Sequence, residues 1–138
     1  MLPTAQAEGK EREKEMKTGL ILEGGAMRGM FSAGVMDVMM ENGIRFDGII
    51  GVSAGAAFGV NYKSGQIGRA IRYNAKYCRD KRYCGVGSLL KTGNLFNTEF
   101  CYGEVPLKLD AFDFDTYEKD PTAFYVTCTD IESGKPIY

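Results

Sequence analysis

Ser53 sits in the setting with the strongest chemical signal in this chain. Gly51-Val52-Ser53-Ala54-Gly55 is a G-x-S-x-G pattern. In a nucleophile elbow, that pattern holds a serine on a sharp strand-to-helix turn, and the flanking glycines keep Cβ atoms out of the strand–helix contact. The pattern alone is weak. A chain with 18 glycines supplies one by chance on the order of a tenth of the time. Its context is stronger. The buried strand expected over Phe46 to Val52 leads in, and the small residues Ala54, Gly55, Ala56, Ala57 and Gly59 lead out. The competing reading is a glycine-rich turn with Ser53 as a helix N-cap.

A second glycine-rich loop, Glu23-Gly24-Gly25-Ala26-Met27-Arg28-Gly29, follows the apolar run Gly19–Leu22. Both loops join a strand to a helix, which puts both at the carboxyl edge of a parallel sheet. Backbone N–H groups of Gly24, Gly25 and Ala26 then suit an oxyanion hole, whose donors must approach to about 2.7–3.1 Å. A dinucleotide-type phosphate cradle fits poorly: the third position is not Gly, and Ser53 stands where the next strand should end in an acid. Arg28 is the only charge between Glu23 and Asp37. It either fixes the loop or touches a head-group phosphate, and the structural role is favoured.

The elements that must position these loops can be read from pattern. Short buried strands at 19–22 and 46–52 alternate with helices at 30–42 and 54–63. This is the signature of a parallel α/β sheet with right-handed crossovers. A third helix is expected over 66–77 and a loop over 79–97. Asn97 is expected to cap a short helix that ends before Pro106, with a turn over 112–117. A strand is expected over 123–129, then a turn at 132–135 and a further strand from Pro136. Residues 1–17 read as a polar, solvated leader. Met27, Met30, Met36, Met39 and Met40 suit a core stripe better than an acyl pocket. Tyr73, Tyr77, Tyr83 and Tyr102 suit packing. Lys76, Arg79, Lys81 and Arg82 form a local basic cluster that is either solvated or faces anionic head groups.

Composition narrows the chemistry. The 138 residues contain no His, which excludes a Ser-His-Asp triad, a Cys-His dyad and a His-ligated metal within this chain. Seventeen basic against 18 acidic residues give no electrostatic case for nucleic acid or for an anionic membrane as a main partner. The four cysteines lack C-x-x-C spacing and read as free thiols in a reducing cytoplasm. Neither a signal peptide nor a membrane span is legible: the longest uncharged stretch, Gly48–Tyr62, is too short and too glycine-rich. A cytoplasmic protein is expected, with no metal or cofactor, and with peripheral membrane contact and oligomeric state left open.

The two glycine loops, in this order and about 25 residues apart, resemble the patatin-like phospholipase family. Ala33-Gly34-Val35-Met36-Asp37, Ser64-Gly65-Gln66, Asp80-Lys81-Arg82-Tyr83 and the stretch from Thr129 to Tyr138 are similar to a bacterial subgroup of it. The resemblance implies a three-layer α/β/α fold with a mostly parallel sheet. It implies acyl hydrolysis of lipid carboxylic esters by a Ser–Asp dyad, with Ser53 as nucleophile and Gly24, Gly25 and Ala26 in the oxyanion loop. Arg28, Gly29, Gly51 and Gly55 support them. The family usually has a third Gly where Ala26 stands, so less conformational freedom is expected there. An acyltransferase on the same fold is one alternative; a non-catalytic lipid-binding module with a relic elbow is another.

The family's acid lies in an Asp-Gly-Gly or Asp-Gly-Ala motif after the elbow, and this sequence contains neither. Its only Asp-Gly is Asp47-Gly48. Six strand residues place Asp47 roughly 20 Å from Ser53, at the wrong end of the strand. Asp130 is expected to form a turn, and Asp110, Asp113 and Asp115 have no better claim. The expectation is therefore that residues 18–138 are the N-terminal portion of the family domain, with the acid beyond residue 138.

Overall fold

The computed structural model describes residues 16–138, so the leader expected over 1–17 falls almost wholly outside the described residues. Four strands, β1 (Gly19–Leu22), β2 (Gly48–Val52), β3 (Ala123–Thr129) and β4 (Pro136–Ile137), lie side by side in that order. β1, β2 and β3 are parallel, and only β4 is antiparallel. Leu20, Ile49 and Phe124 are in register, and so are Leu22, Gly51 and Val126. This is the α/β fold with a mostly parallel sheet that the alternation of elements implies.

Five α-helices accompany the sheet: α1 (Gly29–Glu41), α2 (Ala54–Lys63), α3 (Arg69–Tyr77), α4 (Val86–Thr92) and α5 (Phe114–Lys119). α2 lies closest to the strands, because Gly59 leaves room. A Cβ there would stand 2.8 Å from the Leu22 side chain and 3.1 Å from the Phe124 ring. Leu22 and Ile49 join Ala33 and Met36 of α1, Phe58 and Tyr62 of α2, and Ala70 of α3 in one core. Ile49 is fully buried, and its burial contributes about 2 kcal/mol. The strands alternate as a pleat requires: Leu22 is buried, while Ile21, on the opposite face, is 77% exposed.

A clamp holds the lower end of α3. Arg69, buried at 4% exposure, donates to the Asp110 and Ala111 carbonyls and to Asn61 Oδ1. The Asp110 carboxylate takes two 2.8 Å hydrogen bonds from Arg72. That pairing with Arg72, ahead of the opposing effect of burial, holds the Asp110 carboxyl below the usual carboxylate range. A wide π-type helical segment, Phe100–Leu109, packs Phe100 and Val105 against Tyr77 in a second, smaller core.

Several local expectations change. The stretch 79–97 is not all loop but contains α4. Two of its glycines, Gly85 and Gly93, flank the helix, and Gly85 N–H donates to the Leu95 carbonyl and closes the base. The expected turn over 112–117 is mostly α5, which Asp113 caps by accepting from Thr116 N–H and Oγ1–H. Asn97 does cap its helix, donated to by Phe100 N–H, but the wide turn carries the segment on through Pro106. α1 is apolar around most of its surface, which calls for cover on more than one side. Among the described residues α2 and α3 cover one side only, and Phe31 is 81% exposed. Met36 is buried, with Met30, Met39 and Met40 packed on the core as a core stripe requires, but Met27 is exposed and stands outside it. Tyr102 lies exposed rather than packed. All four cysteines are free thiols.

Candidate active site

β2 ends at Val52 and α2 begins at Ala54, so Ser53 alone makes the turn. It does so with φ 50° and ψ −117°. Among the described residues only two non-glycine residues have positive φ: Ser53, and Ala26 at φ 47°. Such backbone costs on the order of 1–3 kcal/mol and persists only where the surroundings impose it. These are the two residues that the sequence places at the elbow and in the facing loop.

The surroundings here are backbone atoms. A Cβ on Gly51 would lie 2.5 Å from Ala56 Cα and 2.6 Å from its nitrogen. One on Gly55 would lie 2.7 Å from the Glu23 carbonyl oxygen and closer still to that of Leu22. Only glycine lets the first turn of α2 seat against the ends of β1 and β2 in this way. Gly29 does the same for α1: a Cβ there would reach within 2.8 Å of the Phe58 ring.

The Glu23–Gly29 loop runs directly beside Ser53. The Cβ position of Gly24 is 3.2 Å from Ser53 Cβ and 3.4 Å from the Val52 carbonyl oxygen. Gly25 has φ 153°, and its Cβ position is 3.3 Å from both Nε and Nη2 of Arg28. Arg28 thus folds back over the loop. Its own N–H donates to the Gly25 carbonyl across 3.0 Å, which closes a 3-10 turn over Ala26–Arg28. Arg28 takes no carboxylate within 4.0 Å among the described residues. The Arg28 side chain therefore lies against the Gly25 turn without an acid partner.

Ser53 is exposed, and its hydroxyl does not cap α2. Its carbonyl instead accepts from Ala57 N–H at 3.0 Å. A conventional N-cap residue has extended backbone and a side chain bonded to the helix, and Ser53 has neither. It stands at the positive end of α2, where developing negative charge is favoured by about 0.3–1 kcal/mol.

All eight aspartates carry a partner other than Ser53. Asp47 is tied to Thr18 N–H at 2.7 Å, next to the start of β2 and far from Ser53 along the strand. That bond holds its carboxyl below the usual range. Asp130 follows β3 at the Ser53 edge, but it accepts from Ser133 Oγ at 2.6 Å and from Glu132 N–H at 3.1 Å. Chiefly through the Ser133 bond, its pKa also lies below the ordinary value. It is a turn former, as expected. Asp110 belongs to the arginine clamp, Asp113 caps α5, Asp115 pairs with Lys119, Asp37 accepts from Gly68 N–H, Asp80 pairs with Arg82, and Asp120 accepts from Thr122 N–H. The Arg69–Asn61–Asp110 clamp was not foreseen; the only signal for it is an arginine on an otherwise core-facing helix stripe.

Comparison with known proteins agrees with the geometry. A family model described as patatin-like phospholipase matches residues 20–135. Among curated proteins, the chain is similar to the uncharacterized protein YjjU of Escherichia coli (strain K12). The two are 29% identical over 99 residues, covering 68% of this chain and 28% of YjjU. The chain thus spans less than a third of that relative's length. No solved structure matches it. Among the described residues no helix is long and apolar enough to cross a membrane. The family match runs from β1 to the turn before β4 and takes in both glycine loops, so the chain belongs to the patatin-like phospholipase family, a family of lipid acyl hydrolases.

Proposed function

We propose that this chain carries the nucleophile and oxyanion loop of a serine acyl hydrolase acting on lipid carboxylic esters. The observation that carries the reading is the positive-φ Ser53 at the β2–α2 junction, with the Gly24 loop packed against it. Ser53 Oγ attacks the ester carbonyl and forms an acyl-enzyme as the alcohol leaves. The N–H groups of Gly24, Gly25 and Ala26 receive the negative charge of the tetrahedral intermediate. Water then releases the acid. No step calls for a metal or cofactor. The proton of Ser53 passes to an Asp outside these 138 residues, since each Asp within them is engaged elsewhere.

The first test is labelling of the full-length protein, which would include that Asp, with a fluorophosphonate probe, which reacts with an activated serine. Ser53 is expected to be the modified residue, and Ser53→Ala to abolish the signal. Modification elsewhere, or undiminished labelling of the variant, removes the nucleophile assignment. The location of the base is tested separately with a short p-nitrophenyl ester. Rapid Ser53-dependent turnover by the 138-residue chain would show that the base lies within it.

A further inference from the structure

We propose that the helical loop 78–97 docks on the surface of an anionic phospholipid bilayer. Its position comes from the path of α3. Asn61 bonds Arg69, and Phe58 meets the Tyr73 ring edge-on at 6.5 Å. α3 therefore runs back beside α2, and the chain beyond Tyr77 leads into the loop.

The loop is built to project. Asn97 N–H donates to the Tyr83 carbonyl, Gly85 N–H donates to the Leu95 carbonyl, and Cys84 pairs with Phe96, which together close its base. α4 forms the tip, braced by Ser88 Oγ–H on the Asn94 carbonyl. Val86, Leu89 and Leu90 follow the i, i+3, i+4 spacing of a single helix face. Leu90 is 82% and Val86 67% exposed, and neither belongs to a core. Leu95 and Phe96 at the base are about half exposed.

Charge identifies the occupant. The whole chain carries −1, yet residues 76–96 hold five cations (Lys76, Arg79, Lys81, Arg82, Lys91) against the single acid Asp80. Arg82 is occupied by Asp80 and Glu104. Arg79, Lys81 and Lys91 have no carboxylate within 4.0 Å among the described residues. An exposed apolar helix face flanked by unpaired cations matches an anionic bilayer: the side chains enter the acyl boundary while the cations meet phosphates. The inference rests on the loop alone and holds whatever reaction Ser53 performs.

Vesicle flotation of the 138-residue chain tests it. Binding is expected to phosphatidylcholine vesicles that contain phosphatidylglycerol, to weaken as salt rises, and to be absent on phosphatidylcholine alone. Leu90→Asp is expected to lower partitioning about tenfold or more, and Lys81→Gln and Lys91→Gln about fivefold each. Ser53→Ala and Phe31→Asp, the latter on exposed α1, are expected to bind like the parent. Circular dichroism melts confirm that each variant is folded. Equal binding to neutral vesicles, no loss in the loop variants, or an equal loss in Phe31→Asp overturns the proposal. So does a Leu90→Asp variant that changes the sedimentation mass while still binding vesicles, because the loop is then a protein–protein contact.

Discussion

Gly55→Ala puts the active-site scaffold to a direct test. The added Cβ falls 2.7 Å from the Glu23 carbonyl oxygen and closer still to that of Leu22, and an ordinary contact is at least 3.4 Å, so β1 and α2 must part by more than about 0.7 Å. Neither neighbour is a flexible side chain: both oxygens belong to the β1 backbone where it enters the Gly24 loop. Forcing an extra methyl into such a contact costs about 1–3 kcal/mol, and rigid backbone places this case near the top of the range. The displacement also moves the Gly24 loop, the proposed oxyanion hole, against Ser53, and a misplacement approaching 1 Å costs up to about 10²-fold in rate. Urea unfolding is expected to show the stability loss, and fluorophosphonate labelling to slow by at least tenfold. Gly87→Ala is the control, since no atom lies within 4 Å of its Cβ position in α4. It is expected to stabilise by up to about 1 kcal/mol through helix propensity and to leave labelling unchanged. A Gly55→Ala protein with parental stability and labelling rate would refute the close-approach argument.

Three further outcomes are expected. Ser53→Gly and Ser53→Ala both abolish labelling, but the glycine variant unfolds about 1 kcal/mol later because it removes the positive-φ cost that Ala retains; equal stabilities would mean that the turn is unstrained. Asp110→Asn costs about 2 kcal/mol at neutral pH by weakening the arginine clamp. The Asp110 carboxyl lies below its ordinary value in the folded chain, so its contribution is complete above pH ~4 and fades as the pH falls through the folded value. Parallel melts of parent and variant should therefore converge in acid; a constant gap would assign the effect to packing. Ile49→Ala, at a fully buried central-strand position, is expected to cost about 2–5 kcal/mol in urea unfolding.

The parallel strands and first two helices were legible because each is encoded locally. Ala54–Lys63 begins where its small residues begin, and Ile49 and Leu22 stand in short apolar runs between glycines. α4 was missed because Gly85, Gly87 and Gly93 read as loop, whereas two of them flank the helix and its closure depends on Gly85 meeting Leu95. α5 was missed although its cap was visible, with Asp113 three residues before Thr116. The elbow glycines were legible as a motif, but the atoms they make room for were not. Gly55 is opposed by the carbonyls of Leu22 and Glu23, more than thirty positions away. The clamp of Arg69 on Asp110 is equally nonlocal, and no spacing rule pairs an arginine with a carbonyl forty residues on.

The same geometry separates the departure from the family pattern that costs little from one that would cost more. Ala26 stands where the family usually has glycine, and its φ of 47° is a left-handed value that a Cβ tolerates at about 1–2 kcal/mol. Gly25, one residue earlier, has φ 153°, and a Cβ there would press on the Arg28 guanidinium. A side chain at that position would be strained in backbone and would displace the residue folded over the loop. Ser53 lies between these cases: its φ resembles that of Ala26, but its ψ of −117° lies far from the left-handed helical value. That ψ adds to the cost of a positive φ at the one residue that joins β2 to α2. The neighbours that enforce it, Gly51, Gly55 and Gly24, all lack a Cβ, so what holds Ser53 in place is the close approach of backbone to backbone.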